Sequence, residues 1–107
     1  MKTCVIIGGG IGGLVTGALL AKEGYIVTVL EKNAIIGGGL QTFKRNGVSF
    51  PTGMHIFGGF HKGENLRKIF EYLGIMDEIS LCPTDANASD VVTMMDTAET
   101  YCLPQGK

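Results

Sequence analysis

The sequence predicts an α/β fold built on a βαβ unit, and three observations support that prediction. A short apolar, β-branched run at 4–7 is followed by a helical pattern over 11–23, and a second such run follows at 26–30. Strand, helix and strand within about thirty residues require parallel strands joined by a right-handed crossover. Both strands therefore end at the same edge of the sheet, where open α/β sheets bind ligands.

Each element of the unit has its own signal in the sequence. The run at 4–7 indicates a buried strand that ends at Gly8. The helix carries small residues at Gly13, Gly17 and Ala21, a spacing that lets it lie close against a sheet, and Gly24 suits the position just past its end. The second strand ends immediately before Glu31.

The rest of the chain is less regular. We expect an irregular, glycine-rich segment over 33–63, with a short strand at 47–50 that is interrupted at Pro51. A second helix is predicted over 64–73, and a C-terminal β-hairpin over 91–95 and 100–103. The apolar residues of that helix recur at the spacing of a core-facing stripe: Leu66, Ile69, Phe70 and Leu73.

Composition excludes several classes of protein. A chain of 107 residues forms one domain at most, and 45% hydrophobic residues with 18% charged residues argue against disorder. A net charge of −1 gives no basic footprint for nucleic acid. Three scattered cysteines, Cys4, Cys82 and Cys102, predict buried thiols in a reducing, cytoplasmic compartment rather than a disulfide framework or a metal site.

An uncharged run at 4–21 resembles a signal peptide or a short membrane span. It contains six glycines, and each costs about 1 kcal/mol relative to alanine in a helix interior. A strand, a tight turn and a helix explain the run better than one continuous helix. We therefore expect no transmembrane segment, which leaves peripheral membrane contact open.

The turn after the first strand contains the pattern G-x-G-x-x-G. Gly8 permits the sharp turn, Gly10 lets a pyrophosphate approach the backbone, and Gly13 allows close packing of helix on strand. The helix N-terminus offers free N–H groups and a partial positive charge to an anion. Because the pattern lies between a predicted strand and a predicted helix, it predicts a Rossmann-like dinucleotide-binding site. The alternative is a glycine turn with a structural role only.

Glu31 stands eighteen residues after Gly13, at the end of the second strand. At this sheet edge its carboxylate can accept hydrogen bonds from both hydroxyls of an adenosine ribose, and its charge would repel a 2′-phosphate. NADP is therefore disfavoured at this position.

A glycine doublet at Gly37 and Gly38 follows six residues after the acid. A short loop from the strand end can reach back to the same pyrophosphate, and NAD does not require such a loop. The doublet therefore favours FAD over NAD, although a flexible glycine linker would have the same sequence.

Three stretches together resemble a known family: residues 4–13, residues 27–32 and the glycine doublet are similar to the N-terminus of FAD-dependent oxidoreductases of the phytoene desaturase and amine oxidase type. Residues 42–50 and 52–59 further resemble the carotenoid isomerase and retinol saturase branch. The resemblance covers nearly all of 1–75. It implies an FAD-binding site formed by Gly8, Gly10, Ile11, Gly12, Gly13, Glu31, Lys32, Gly37 and Gly38.

Relatives of this type are several times longer, so the resemblance implies that 1–107 is the truncated N-terminal FAD-binding domain of a longer enzyme. The parent would desaturate, saturate or isomerise an apolar polyene such as a carotenoid or retinoid, and the substrate domain would be absent. We expect this piece alone to bind FAD weakly and to be inactive. Its open sheet edges are expected to favour self-association.

No catalytic residue can be assigned from the sequence. His55 could act as an acid or base near a flavin, or be a hydrogen-bonded structural residue. Two other functions stay open: a non-catalytic, stand-alone dinucleotide-binding module, and a fragment of an NAD-dependent dehydrogenase.

Overall fold

A computed structural model describes residues 1–105, which fall into two compact units, Met1–Asp77 and a second unit that begins at Glu78. Each unit is described by itself. The assignment of 1–107 to a single truncated domain stays a prediction.

The first unit begins with the predicted βαβ arrangement. Strand β1 (Lys2–Ile7), helix α1 (Ile11–Lys22) and strand β2 (Tyr25–Leu30) follow one another, and the two strands pair in parallel. The α/β fold class is therefore confirmed. Strand β1 starts two residues before the apolar run, because Lys2 pairs with Tyr25 at the start of the ladder.

Helix α1 covers one face of this two-stranded sheet. Gly17 is buried, and a Cβ added there would lie 3.4–3.5 Å from the side chains of Ile6, Val27 and Val29. The small residue thus brings the helix axis close to the strands. The opposite face carries no helix in this unit, and Ile7 is 89% exposed there.

The segment 33–63 is more regular than predicted. Strand β3 (Thr42–Arg45) pairs antiparallel with strand β4 (Val48–Pro51), so the expected isolated strand at 47–50 is half of a hairpin that ends at Pro51. Asn46 and Gly47 link the strands with φ of 50° and 80°. Two successive residues with positive φ make the mirror-image turn that suits the twist of a hairpin.

Helix α2 (Asn65–Leu73) confirms the second predicted helix and ends at Gly74, whose φ is 77°. Phe70 on this helix is the one buried hydrophobic side chain among the residues described, and its ring packs edge-to-face with the Phe60 ring, with 5.4 Å between the ring centroids. The Tyr72 hydroxyl donates to Glu23 Oε1 at 2.7 Å, which links the C-terminal ends of α2 and α1.

The second unit contains the predicted C-terminal hairpin. Strands β5 (Asp90–Thr93) and β6 (Thr100–Leu103) pair antiparallel, and every side chain in them is exposed. Strand β5 ends two residues earlier than expected, because the Met94 amide donates to the Glu99 carbonyl and starts the turn.

The prediction of buried thiols is wrong, since none of the three cysteines is fully buried. Cys82 and Cys102 are exposed and Cys4 is half-buried. Cys102 lies on a two-stranded hairpin that no other element of its unit covers, and Cys82 lies in an irregular stretch. Within residues 1–105, no helix has the length and apolarity that a membrane crossing requires.

Candidate functional site

The turn between β1 and α1 presents free backbone amides. The Gly8 amide donates to the Leu30 carbonyl at 2.7 Å, and Leu14 is the first helical residue whose amide bonds back, to Gly10 at 2.9 Å. Helix geometry leaves the amides of residues 11–13 without an intrahelical partner. Gly10 caps the helix with no side-chain hydrogen bond, so these amides and the positive end of the helix dipole face outward.

Two glycines of this turn differ in what surrounds them. A Cβ at Gly13 would lie 2.0 Å from the Gly8 carbonyl oxygen, so that only glycine lets the helix start this close to the strand end. A Cβ at Gly12 would meet no heavy atom within 4 Å. The turn is therefore open at Gly12, which leaves room for an anionic group at this position.

Glu31 lies at the same sheet edge as the turn. Its Oε2 accepts from the Gly9 amide at 2.7 Å, and its Oε1 accepts from the Asn33 amide at 2.8 Å. The amides of Asn33 and then Gly9 hold the pKa of this carboxyl below its usual value, because they stabilise the charged form. A carboxylate has about four acceptor positions. Glu31 thus keeps capacity for ligand hydroxyls.

The second glycine turn packs directly onto the first. The Gly37 amide donates to the Gly9 carbonyl at 2.7 Å, and Gly10 and Gly37 form an isolated parallel bridge. A Cβ added at Gly38 would lie 3.1 Å from Gly10 Cα. The doublet is therefore seated against the first turn, rather than extending away from it as a linker would.

The fold brings most of the predicted cofactor residues to one place, while the predicted cofactor residue Lys32 and the candidate acid or base His55 lie outside these contacts. Lys32 and His55 are both exposed. Sequence reasoning missed Gln41, whose side-chain Nε2 donates to the Ile35 carbonyl at 2.6 Å. No local pattern marks this residue, because its partner is defined only once the second turn has folded.

The combination of outward-facing amides, open space and an ionised carboxylate fits one kind of ligand. Amides at a helix N-terminus bind a phosphate group, and a carboxylate accepts from sugar hydroxyls. Among the described residues, no cluster of side chains could hold a metal ion. The donor set therefore fits the adenosine diphosphate part of a dinucleotide.

Comparison with known proteins identifies a family. The sequence profile described as "NAD(P)-binding Rossmann-like domain" matches residues 6–73. A protein from Pyrococcus furiosus, solved by crystallography, superposes with a TM-score of 0.67 at 28% identity, over 95% of this chain and 24% of that one.

Three curated relatives carry informative names. All-trans-retinol 13,14-reductase from Rattus norvegicus is 45% identical over 64% of this chain and 11% of its own length. Prolycopene isomerase 2 from an Oncidium hybrid cultivar is 42% identical over 68% of this chain and 12% of its own. The 1-hydroxycarotenoid 3,4-desaturase of a Flavobacterium species is 40% identical over 65% and 14%.

These relatives confirm the resemblance to oxidoreductases of the retinoid and carotenoid type. The matched segment accounts for only 11–14% of the length of each relative.

Proposed function

The chain belongs to the family of NAD(P)-binding Rossmann-like domains, and within that family we propose that it is the FAD-binding N-terminal portion of a flavin-dependent oxidoreductase acting on an apolar polyene. The observation that carries the proposal is the seating of Gly37 on Gly9, at 2.7 Å, beside the Glu31 carboxylate. Two glycine turns and one acid then surround the place where an adenosine diphosphate would lie.

Each part of the site has a task in this proposal. The amides of residues 11–13 bind the pyrophosphate, and Gly37 and Gly38 cover it from the other side. Glu31 accepts hydrogen bonds from the adenosine ribose, with the exposed Lys32 beside it. A bound flavin supplies the hydride chemistry, and this chain supplies binding and orientation. We propose that the chain by itself catalyses no reaction.

The substrate class follows from the names of the relatives. Retinol, prolycopene and a hydroxycarotenoid are all conjugated, largely apolar polyenes, and the named reactions reduce, isomerise or desaturate them. We therefore infer an apolar polyene as substrate of the longer protein of which this chain forms a portion. The described residues of the site suit a cofactor and leave the substrate to other parts of that protein.

The proposal is tested by two-dimensional ¹H–¹⁵N spectra of the chain, titrated with FAD, ADP and FMN. We expect FAD and ADP to shift the amides of residues 11–13 and of Gly37, and FMN, which has a phosphate and lacks the adenosine, to shift them less. A well-dispersed spectrum in which millimolar FAD moves none of these amides would contradict the proposal.

Glu31→Gln and Glu31→Arg sharpen the test. Replacing the carboxylate weakens ADP binding, because glutamine offers the two ribose hydroxyls one uncharged acceptor oxygen and arginine offers none. Arginine in addition improves binding of 2′-phosphorylated ADP relative to ADP, since the repelling charge is replaced by an attracting one. Equal affinity of all three proteins for ADP would mean that Glu31 is not the ribose ligand.

An NAD-dependent dehydrogenase is the second candidate, because the matching profile describes NAD(P)-binding domains. The same titration separates the two candidates. Tighter binding of FAD than of NAD⁺ supports the flavoenzyme, and tighter binding of NAD⁺ supports the dehydrogenase. A stand-alone regulatory module fails as an explanation if the coding region continues past Lys107.

We also propose that the chain associates with itself through its sheet edges. Strands β1 and β2 form a two-stranded sheet, and both outer edges are unpaired within residues 1–105. Unpaired strand edges are templates for pairing with another chain. Light scattering during size-exclusion chromatography should show dimers or larger species, and a well-folded monomer would overturn this proposal.

A further inference from the structure

We propose that Gln41 is a positioning residue that fixes the second glycine turn against the first, and thereby sets the affinity for the dinucleotide. The inference rests on the proposed function, since the second turn matters for affinity only if a dinucleotide binds there. It goes beyond that function because Gln41 is not itself among the residues assigned to the cofactor, and acts through the turn at Gly37 and Gly38.

The contacts of Gln41 reach both ends of the second turn. Its side-chain Nε2 donates to the Ile35 carbonyl at 2.6 Å, just before the doublet. Its backbone amide donates to the Gly38 carbonyl at 3.2 Å, just after the turn begins. Gln41 thus closes the turn on itself, together with the Leu40 amide, which donates to the Gly37 carbonyl at 3.0 Å.

Gln41 also packs against the turn and connects it to the hairpin. A Cβ added at Gly37 would lie 3.4 Å from Gln41 Cγ, so the side-chain stem lies along the turn. The Gln41 carbonyl accepts from the Thr52 amide at 2.9 Å, immediately after β4. The turn is therefore held both from within and from the β3–β4 hairpin.

The position of this turn controls the geometry of the site. Gly37 has φ of 116° and Gly38 has φ of 58°, a conformation that glycine adopts easily and that local backbone preference alone does not select. The Gly37 amide must point at the Gly9 carbonyl for the two turns to meet. Without the Gln41 side chain, the turn keeps its backbone hydrogen bonds and loses the side-chain hydrogen bond that helps to restrict it to this arrangement.

Gln41→Met and Gln41→His form a matched pair. Methionine keeps the length of the side chain and removes the donor. Neutral histidine at pH 8 places an N–H close to where the amide nitrogen was. Gln105→Met is the control, since it makes the same chemical change at an exposed position in the second unit.

The first readout needs no ligand. Amide hydrogen exchange of Gly37 reports its hydrogen bond to Gly9, and the amides of β2 serve as the internal reference. We expect Gln41→Met to accelerate exchange at Gly37 about 2- to 10-fold, the range that corresponds to one neutral hydrogen bond. Gln41→His should restore the slow exchange, and Gln105→Met should leave it unchanged.

The second readout is the dissociation constant for ADP. We expect Gln41→Met to weaken ADP binding by a similar factor of about 2 to 10, and Gln41→His to restore it. Unchanged exchange at Gly37 in Gln41→Met overturns the proposal, as does unchanged ADP affinity. Equal acceleration at Gly37 and throughout β2 also overturns it, because Gln41 would then stabilise the whole unit rather than position the turn.

The failure of this inference differs from the failure of the proposed function. If the unaltered chain binds no ADP or FAD, the proposed function fails and so does the claim about affinity, whatever the exchange at Gly37. If the unaltered chain binds ADP and Gln41→Met binds it equally well, the proposed function stands and the role of Gln41 is wrong.

Discussion

Gly13→Ala is expected to destabilise the first unit, because the added methyl group has no room. A Cβ at Gly13 would lie 2.0 Å from the Gly8 carbonyl oxygen, and real Cβ atoms essentially never come closer than 3.0 Å to such an atom. The turn or the helix must therefore move by about 1 Å. The atom in the way belongs to the backbone, so no side-chain rotation relieves the contact.

The structure indicates which contacts suffer from that movement. Moving the Gly8 carbonyl strains the bond from the Gly8 amide to Leu30, which measures 2.7 Å. Moving the helix instead opens its packing at Gly17 on the sheet. Overpacking of this kind costs about 1–3 kcal/mol and occasionally more. The higher helix propensity of alanine offsets about 1 kcal/mol of this overpacking cost.

Gly12→Ala is the matched control, because it places the same residue one position earlier in the same helical turn. Its Cβ would meet no heavy atom within 4 Å. The propensity gain is similar in both variants, so their difference isolates the steric term of about 1–3 kcal/mol. Gly12→Ala should be at least as stable as the unaltered chain, and should weaken ADP binding because its methyl group enters the open space beside the amides.

Urea unfolding followed by far-ultraviolet circular dichroism measures the difference. We expect equal slopes for the two variants and a lower midpoint for Gly13→Ala. The reasoning would be refuted by coincident unfolding curves for Gly12→Ala and Gly13→Ala.

Three further predictions concern packing and charge. Gly17→Ala should raise the free energy of unfolding by up to about 1 kcal/mol, because its Cβ would make ordinary contacts of 3.4–3.5 Å with the sheet; a lower thermal midpoint would contradict this. Phe70→Ala should cost about 3–5 kcal/mol in urea unfolding, whereas Phe57→Ala, at a 46% exposed position, should cost about 0.5 kcal/mol or less; equal costs would mean that Phe70 is not the core of the unit. The pKa of Glu31 is lowered in the folded chain, so the ionised carboxylate stabilises the fold at pH values above its ordinary pKa of 4.5, and this stabilisation disappears as the pH falls through the lowered pKa. The thermal midpoint of Glu31→Gln should therefore depend less on pH in that acidic range than the midpoint of the unaltered chain. Parallel pH profiles of the two midpoints would contradict the lowered pKa of Glu31.

The sequence predicted the βαβ unit well because its determinants are local. The β-branched runs, the stripe of small residues and the glycines after Ile7 each act within a few positions. The boundaries shifted where pairing rather than hydrophobicity decides, as at Lys2, which is exposed yet joins the ladder opposite Tyr25.

The β3–β4 hairpin was missed for a different reason. Strand β3 contains Lys44 and Arg45 and all its side chains are exposed, so it lacks the alternation that marks a half-buried strand. The available signal was the dipeptide Asn46-Gly47, because Asn-Gly between two strands is the strongest short-range sequence signal for a hairpin turn. Gln41 could not be found in this way, because its carbonyl partner at Ile35 becomes a neighbour only when the second turn closes.

Successive backbone amides in the glycine run of the first turn have different hydrogen-bond partners, and therefore different tasks. The Gly8 amide bonds to Leu30 and ties the turn to β2, and the Gly9 amide bonds to the Glu31 carboxylate and fixes that side chain. The amides of residues 11–13 have no partner in the helix, and the space beside Gly12 is open. The first two residues thus position an acid and the later ones remain free for an anion. Under the proposed function, this segment positions the acid for the sugar and leaves amides for the phosphate of one ligand, and this division would be lost if the Gly9 amide were free or the Gly12 position filled.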